Sequence, residues 1–102
     1  MTLPVTCRTK MRFIRYHQDR HGGWLEAPRQ ELERLGLADT TSSESHAMGD
    51  EVYLTEDSDG AAYLTALVDE GTRYRLCPIR LDFDHPIRSM PRYFPAPGRR
   101  AA

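Results

Sequence analysis

The sequence predicts an α+β fold: a small antiparallel sheet packed by two helices, in a single domain. Three observations predict it. The chain has 102 residues, 39% hydrophobic and 28% charged, which is the size and balance of one ordinary globular domain. Some short segments alternate apolar and polar residues with the period of a strand, and others repeat at helical spacing. Proline and glycine then stand where helices should begin and end.

Residues 1–10 read as a flexible lead. Met11-Arg12-Phe13-Ile14-Arg15-Tyr16 is rich in β-formers and predicts the first strand. Residues 17–23 read as a polar turn, in which Gly22 and Gly23 can take positive φ. Trp24-Leu25-Glu26-Ala27 predicts a second strand, hairpinned to the first. Pro28 opens the first helix, at the first helical position, where a missing N–H is not needed. Gly36 stops that helix in the left-handed conformation. Leu37 then falls where a Schellman motif packs an apolar residue on Leu32. With only Leu32 and Leu35 apolar, the helix has one narrow buried edge.

Residues 39–46 are polar and serine-rich, a loop or weak edge strand, and Met48-Gly49-Asp50 reads as a turn. Glu51-Val52-Tyr53-Leu54-Thr55 is the clearest strand. Asp57 or Ser58 is expected to cap a second helix over about 59–70. Tyr63, Leu64, Leu67 and Val68 share one face of it, and Gly71 ends it. Residues 72–77 alternate again, with Tyr74 and Leu76 facing one way. Pro78 is expected to break the ladder, and a bulge there to let Ile79, Leu81 and Phe83 continue on the opposite parity. From His85 onward the chain has four prolines, four arginines and no acid. Residues 86–93 should dock through Ile87, Met90 and Tyr93, whereas 94–102 should be a disordered Pro/Arg tail. The folded domain is therefore expected over 11–93. Its expected single core is Trp24, Leu32, Leu35, Val52, Leu54, Leu64, Leu67, Val68 and Leu76.

Charge is segregated along the chain. Residues 1–20 carry five bases and one acid, residues 21–70 twelve acids and two bases, and residues 71–102 seven arginines and two acids. An acidic middle between basic ends implies a dipolar molecule, or ends that fold back on the middle. Arg88 and Arg92 are the arginines expected to reach those carboxylates. No apolar run approaches the roughly 18 residues of a membrane span. The first residues lack the form of a signal peptide, so the cytoplasm is the expected location. Cys7 and Cys77 form no pattern and read as idle thiols.

No chemical motif is complete. Thr55-Glu56-Asp57-Ser58-Asp59-Gly60 ends like an EF-hand loop, but the first ligand position would be Thr55 and the twelfth Ala66. It reads as acids charging a helix N-terminus. His17 and His21 are spaced like zinc ligands, but no zincin glutamate or paired cysteines accompany them. Ser42, Ser43, Ser45 and His46 are neighbours in a polar loop without a nucleophile elbow. Neither cofactor nor metal is expected, and no enzyme. Arginines with Tyr93 and Phe94 interleaved have the composition of nucleic-acid contacts, but no such motif is present, so direct nucleic-acid binding is the less favoured reading. Trp24 reads as a core anchor before a stacking platform.

His21-Gly22-Gly23-Trp24-Leu25-Glu26-Ala27-Pro28, then Leu32-x-x-Leu35-Gly36-Leu37-Ala38-Asp39, then Val52-Tyr53-Leu54-Thr55-Glu56-Asp57-Ser58-Asp59, form a signature. It resembles a group of small uncharacterised proteins encoded by bacterial prophages and plasmids. Their Ile-Arg-Ser-x-Pro-x-Tyr close corresponds to Ile87-Arg88-Ser89-Met90-Pro91-Arg92-Tyr93. The resemblance spans about 12–93. The chain departs from it at Thr55, where a glutamate is expected, and over 43–46, where a tyrosine is expected. It brings no catalytic residues. It implies an accessory protein of a mobile element that binds host machinery in a bacterial cytoplasm.

The leading expectation is thus a non-catalytic binding protein acting on a host macromolecule, its partner a host or phage protein. The expected interaction residues are Glu26, Glu31, Glu33, Glu56, Asp57, Asp59, Arg88, Arg92 and Tyr93. Two alternatives carry geometric conditions. An acidic nucleic-acid mimic inhibiting host defence needs Glu26, Glu31, Glu33, Glu56, Asp57 and Asp59 on one face. A small metal-assisted hydrolase needs Asp57, Asp59 and a histidine to converge.

Overall fold

A computed structural model describes residues 10–95. The expectations for residues 1–9 and 96–102 lie outside the described residues. Five strands and two helices follow one another. They are β1 (Met11–Asp19), β2 (Gly22–Pro28), α1 (Arg29–Arg34), β3 (His46–Met48), β4 (Glu51–Thr55), α2 (Asp59–Asp69) and β5 (Arg73–Arg80), with a 3₁₀ turn at Pro86–Ser89. The architecture is α+β, with strand order β3-β4-β2-β1-β5.

The sheet is mixed, not antiparallel. β2 runs antiparallel to β1 and β4, and β3 antiparallel to β4, but β5 lies parallel to β1. The cause is α2. Its eleven residues carry the chain about 16 Å back along the sheet. The next strand must then run parallel to β4, and so to β1.

The first hairpin is longer than expected. β1 runs to Asp19, Asp19 pairs with Gly22, and only Arg20 and His21 form the turn. Gly22 and Gly23 are strand residues and neither has positive φ. Gly23 is needed for another reason: a Cβ there would sit 2.7 Å from the Tyr16 ring and 2.9 Å from a Glu56 carboxylate oxygen.

Both helices end as the sequence predicts. Gly36 has φ 77°, Leu37 N–H donates to the Leu32 carbonyl at 2.8 Å, and Gly36 N–H to that of Glu33 at 3.1 Å. Gly71 (φ 88°) repeats this, with Thr72 N–H on Leu67 at 2.8 Å and Gly71 N–H on Val68 at 3.0 Å. These are the two bonds of a Schellman motif. Their starts differ from expectation. Pro28 is the residue before α1, in extended conformation, and α1 begins at Arg29. Ser58 precedes α2 but its side chain makes no capping bond. Asp59, one residue later, is the working side chain. It accepts bonds from Ser42 N (3.0 Å), Ser42 Oγ (2.7 Å) and Ser45 Oγ (2.6 Å), pinning the serine-rich loop to α2.

Pro78 does not interrupt β5. The register with β1 runs unbroken from Arg73 to Arg80, with no bulge. Arg73 N–H donates to Lys10 and Leu81 N–H to Gln18, so odd-numbered residues of β5 direct their amides to β1. Pro78 is even-numbered, and its missing donor faces the free edge. Tyr74 and Leu76 therefore share one face of a regular strand, and Cys77 and Ile79 the other.

Both helices pack on one face of the sheet. The core there is Ile14, Leu25, Ala27, Leu32, Ala47, Val52, Leu54, Tyr63, Leu67 and Tyr93, with Leu35, Leu64 and Leu76 partly buried against it. Two expected members are elsewhere. Val68 is 60% exposed, because the buried stripe of α2 is Asp59, Gly60, Tyr63 and Leu67, and Val68 lies a further 100° round. Trp24 is buried, but it neighbours Leu25 on β2 and so points to the opposite face.

Candidate functional site

The face away from the helices is built by alternation. β1 contributes Met11, Phe13, Arg15, His17 and Asp19. Register places Arg73, Arg75, Cys77 and Ile79 beside the first four, and Trp24, Glu26 and Tyr53 on the side of β2 and β4. The C-terminal segment crosses only part of this face, which divides it into a covered half and an open half.

The covered half is organised by Asp19, whose residue is buried. Its carboxylate accepts Arg88 Nε at 2.7 Å, Arg88 Nη2 at 2.8 Å, and the backbone N–H groups of His21 (2.9 Å), Gly22 (3.1 Å) and His85 (2.9 Å). The Arg88 guanidinium, followed by the His85 and His21 amides, holds this carboxyl far below the usual carboxylate range despite burial. The same guanidinium lies 4.7 Å from the Trp24 ring centroid. His85 packs on Trp24 (5.9 Å) and on His17 (4.9 Å). Burial and the neighbouring His17 push the His85 imidazole down. Ile87 is fully buried beyond it.

From there the chain pairs with the free edge of β3. Ala47 N–H donates to Pro91 at 2.9 Å and Tyr93 N–H to Ser45 at 2.9 Å. Tyr93 turns into the core and donates to the Ala38 carbonyl at 2.5 Å. Residues 86–93 do dock, through Ile87 and Tyr93, with Met90 half-buried. Phe94 is 63% exposed.

A polar cleft of about 310 Å³ opens beside Trp24. Four sequence-predicted site residues meet there: Glu56, Asp57, Arg88 and Arg92. They are largely engaged with the protein itself. Tyr16 OH donates to Glu56, and Arg92 Nη1 to the Glu44 carbonyl at 3.3 Å. Arg88 holds Asp19, which lies in the basic first twenty residues, so neither arginine is found bonded to an acidic side chain of residues 21–70, contrary to expectation.

The other predicted residues are dispersed. Glu31 is buried on the helix side, bound by Arg12 (2.8 Å), Arg34 (3.1 Å) and the Tyr63 hydroxyl (3.2 Å). Asp59 and Tyr93 are internal, as described. Glu33 is exposed on α1. Glu26 lies on the outer face, bonded to His17 Nε2 at 2.7 Å and Arg15 at 3.1 Å. The six carboxylates of the mimic reading therefore do not share one face. For the hydrolase reading, Asp59 is spent on Ser42 and Ser45, and among the described residues no three His, Cys, Asp or Glu side chains are placed to hold a metal.

In the open half, side chains that a core would bury face solvent. Phe13 is 65% exposed, Met11 41% and Ile79 38%. Arg73 and Arg75 are exposed, and no side-chain hydrogen bond or ion pair is found for either among the described residues. Cys77 is half-buried here, and Cys7 lies outside the described residues. The β1–β2 ladder stops at Tyr16↔Leu25, while β1–β5 pairing continues to Met11. The first half of β1 thus splays away from β2. A crevice of about 430 Å³ lies there, lined by Phe13, Arg15, Glu26, Pro28, Cys77 and Ile79 among others. At its rim, burial and the adjacent Glu26 carboxylate push the Glu51 carboxyl up. Burial would also raise Glu26, but bonds from His17 and Glu51 and the Arg15 charge outweigh it and hold Glu26 low.

Among the described residues no nucleophile is bonded to a free base on this face. His17 Nε2 is taken by Glu26, and its Nδ1 is buried without a hydrogen-bond partner, out of reach of a substrate. Sequence reasoning missed Asp19, Phe13, Arg73 and Arg75 as site residues. The signal for Asp19 was in view: it is the lone acid of residues 1–20. No helix among the described residues is long and apolar enough to cross a membrane. No family model matches the chain, and comparisons with curated proteins and with solved structures find no match.

Proposed function

We propose that this chain is a non-catalytic binding protein, the accessory kind that the resemblance implies, and that it engages a host macromolecule through the open half of its outer sheet face. One observation carries the reading. The fold covers half of that face with its own C-terminal segment and leaves Phe13 and Ile79 exposed on the other half. Both line one crevice, and exposed apolar side chains rimmed by polar ones mark interaction surfaces. The engaged state of His17, His46, Ser42 and Ser45 supports binding over catalysis. A photo-crosslinking amino acid at position 13 or 79, with one at position 33 on α1 as the opposite-face control, tests this in bacterial lysate. Products are expected at 13 and 79 and not at 33. Equal labelling at all three positions, or none, removes the reading.

A further inference from the structure

Resting on that reading of the open half as a binding surface, the geometry points to single-stranded nucleic acid as its ligand, with Phe13 as the stacking platform and Arg15, Arg73 and Arg75 as the phosphate contacts. Register carries the argument. Arg75 is the direct neighbour of Phe13, and Arg73 the neighbour of Met11. Arg15 lies two residues along β1 from Phe13, on the same face. The 65%-exposed ring is therefore flanked by guanidiniums across the strand and along it. Neighbouring strands lie about 4.8 Å apart, and same-face residues on one strand about 6.6 Å. All four side chains thus fall within one small patch.

Charge complementarity selects the ligand. The chain as a whole carries −1, yet this patch holds three arginines. Its nearby carboxylates are Glu26, already shared by His17 and Arg15, and Glu51 at the crevice rim. Arg73 and Arg75 are without a carboxylate among the described residues, and guanidinium forks match phosphate oxygens two at a time. An aromatic ring on an open sheet takes the face of an unstacked base, which a single strand offers and a duplex hides. Among the described residues both helices pack on the opposite face, so neither lies on this half to enter a duplex groove.

The test is fluorescence anisotropy with labelled dT and U single strands of roughly 12 nucleotides. A hairpin duplex and a polyglutamate competitor serve as comparisons. Wild type should bind the single strands and prefer them to the duplex. With about three phosphates neutralised, affinity should fall roughly fifteen-fold between about 50 and 200 mM salt. Phe13→Ala should weaken binding about ten-fold and Phe13→Tyr should retain it. Arg73→Glu with Arg75→Glu should abolish it, each variant keeping the wild-type melting temperature. Three results overturn the inference: no single-strand binding, binding indifferent to these substitutions, or polyglutamate competing as well as the oligonucleotides. If the oligonucleotides fail while position 13 still crosslinks to a protein, the ligand class alone is wrong. If both fail, the binding surface is wrong as well.

Discussion

The half of the outer face beneath residues 85–93 and the half beside β5 are made of the same strands, yet they treat their polar groups in opposite ways. In the covered half the buried charge has partners. Asp19 accepts five bonds, and Arg88 both holds it and lies over Trp24. In the open half Arg73 and Arg75 face solvent beside an exposed Phe13. A buried charge without a partner would destabilise the fold, so the covered half is constrained by folding itself. No such penalty acts on the open half. What stands there is free to serve a ligand, and substitutions should separate the two halves cleanly.

The largest expected effect is on the covered half as a unit. Ending the chain at His85 removes Ile87 and Tyr93, both fully or almost fully buried. Each such loss is worth about 2–5 kcal/mol, so together they consume most of a typical domain's stability. Thermal circular dichroism should show no cooperative melt; a melt near wild type would show that the segment is dispensable. Trp24→Ala comes next, with a loss of about 3–5 kcal/mol in urea denaturation. A loss below 1 kcal/mol would mean that the outer face contributes little to the fold.

Asp19→Ala should lower the melting temperature by roughly 10 °C at pH 7. The Asp19 carboxyl is held low in the fold, so its contribution is present above the usual carboxylate pKa of about 4 and is lost as pH falls below it. The gap between wild type and variant should therefore narrow in acid. A gap independent of pH would remove the charge from the account.

Glu51→Gln should act in the other direction. The Glu51 carboxyl is pushed up by burial and by Glu26, so its neutral form is favoured and its benefit is lost as pH rises. Glutamine should raise the melting temperature by about 2 °C at pH 7 and leave it unchanged near pH 3. A destabilised variant at pH 7 would show that the carboxylate is needed. Smallest is Phe13→Ala, expected within about 0.5 kcal/mol of wild type in stability. A large loss there would mean that the open half is structural after all.

Much of the fold was legible because it is local. β4 was read at its observed bounds, and both helix ends were read from glycines at fixed offsets from their last turn. The stop at Gly36 and Leu37 requires only neighbouring backbone groups. Other local readings were overridden. Asp57 and Ser58 are typical capping residues, but Asp59 secures the loop because the fold brings Ser42 and Ser45 to it. Of the candidate site, Glu56, Asp57, Arg88 and Arg92 were foreseen and do share a cleft. Glu31 and Asp59 were foreseen as surface residues and are interior ones, whereas Tyr93, foreseen both as a docking and as an interaction residue, is buried by docking. The sign of a side chain is visible in sequence; its burial is not.

The sequence by itself determined the α+β class, where both helices end and that Ile87 and Tyr93 are buried. Periodicity, glycine at a helix end and apolar residues spaced by three all act over a few residues. Only the tertiary structure decided that β5 lies beside β1. The α2 crossover sets its direction, and pairing across more than sixty residues of chain sets its register. That placement made Pro78 harmless at an edge and brought Arg73 and Arg75 to Phe13. The packing of both helices on the Leu25 side of the sheet left Trp24 on the face away from the core. Alternation along a strand says which residues share a face; only the packed sheet says which face is covered.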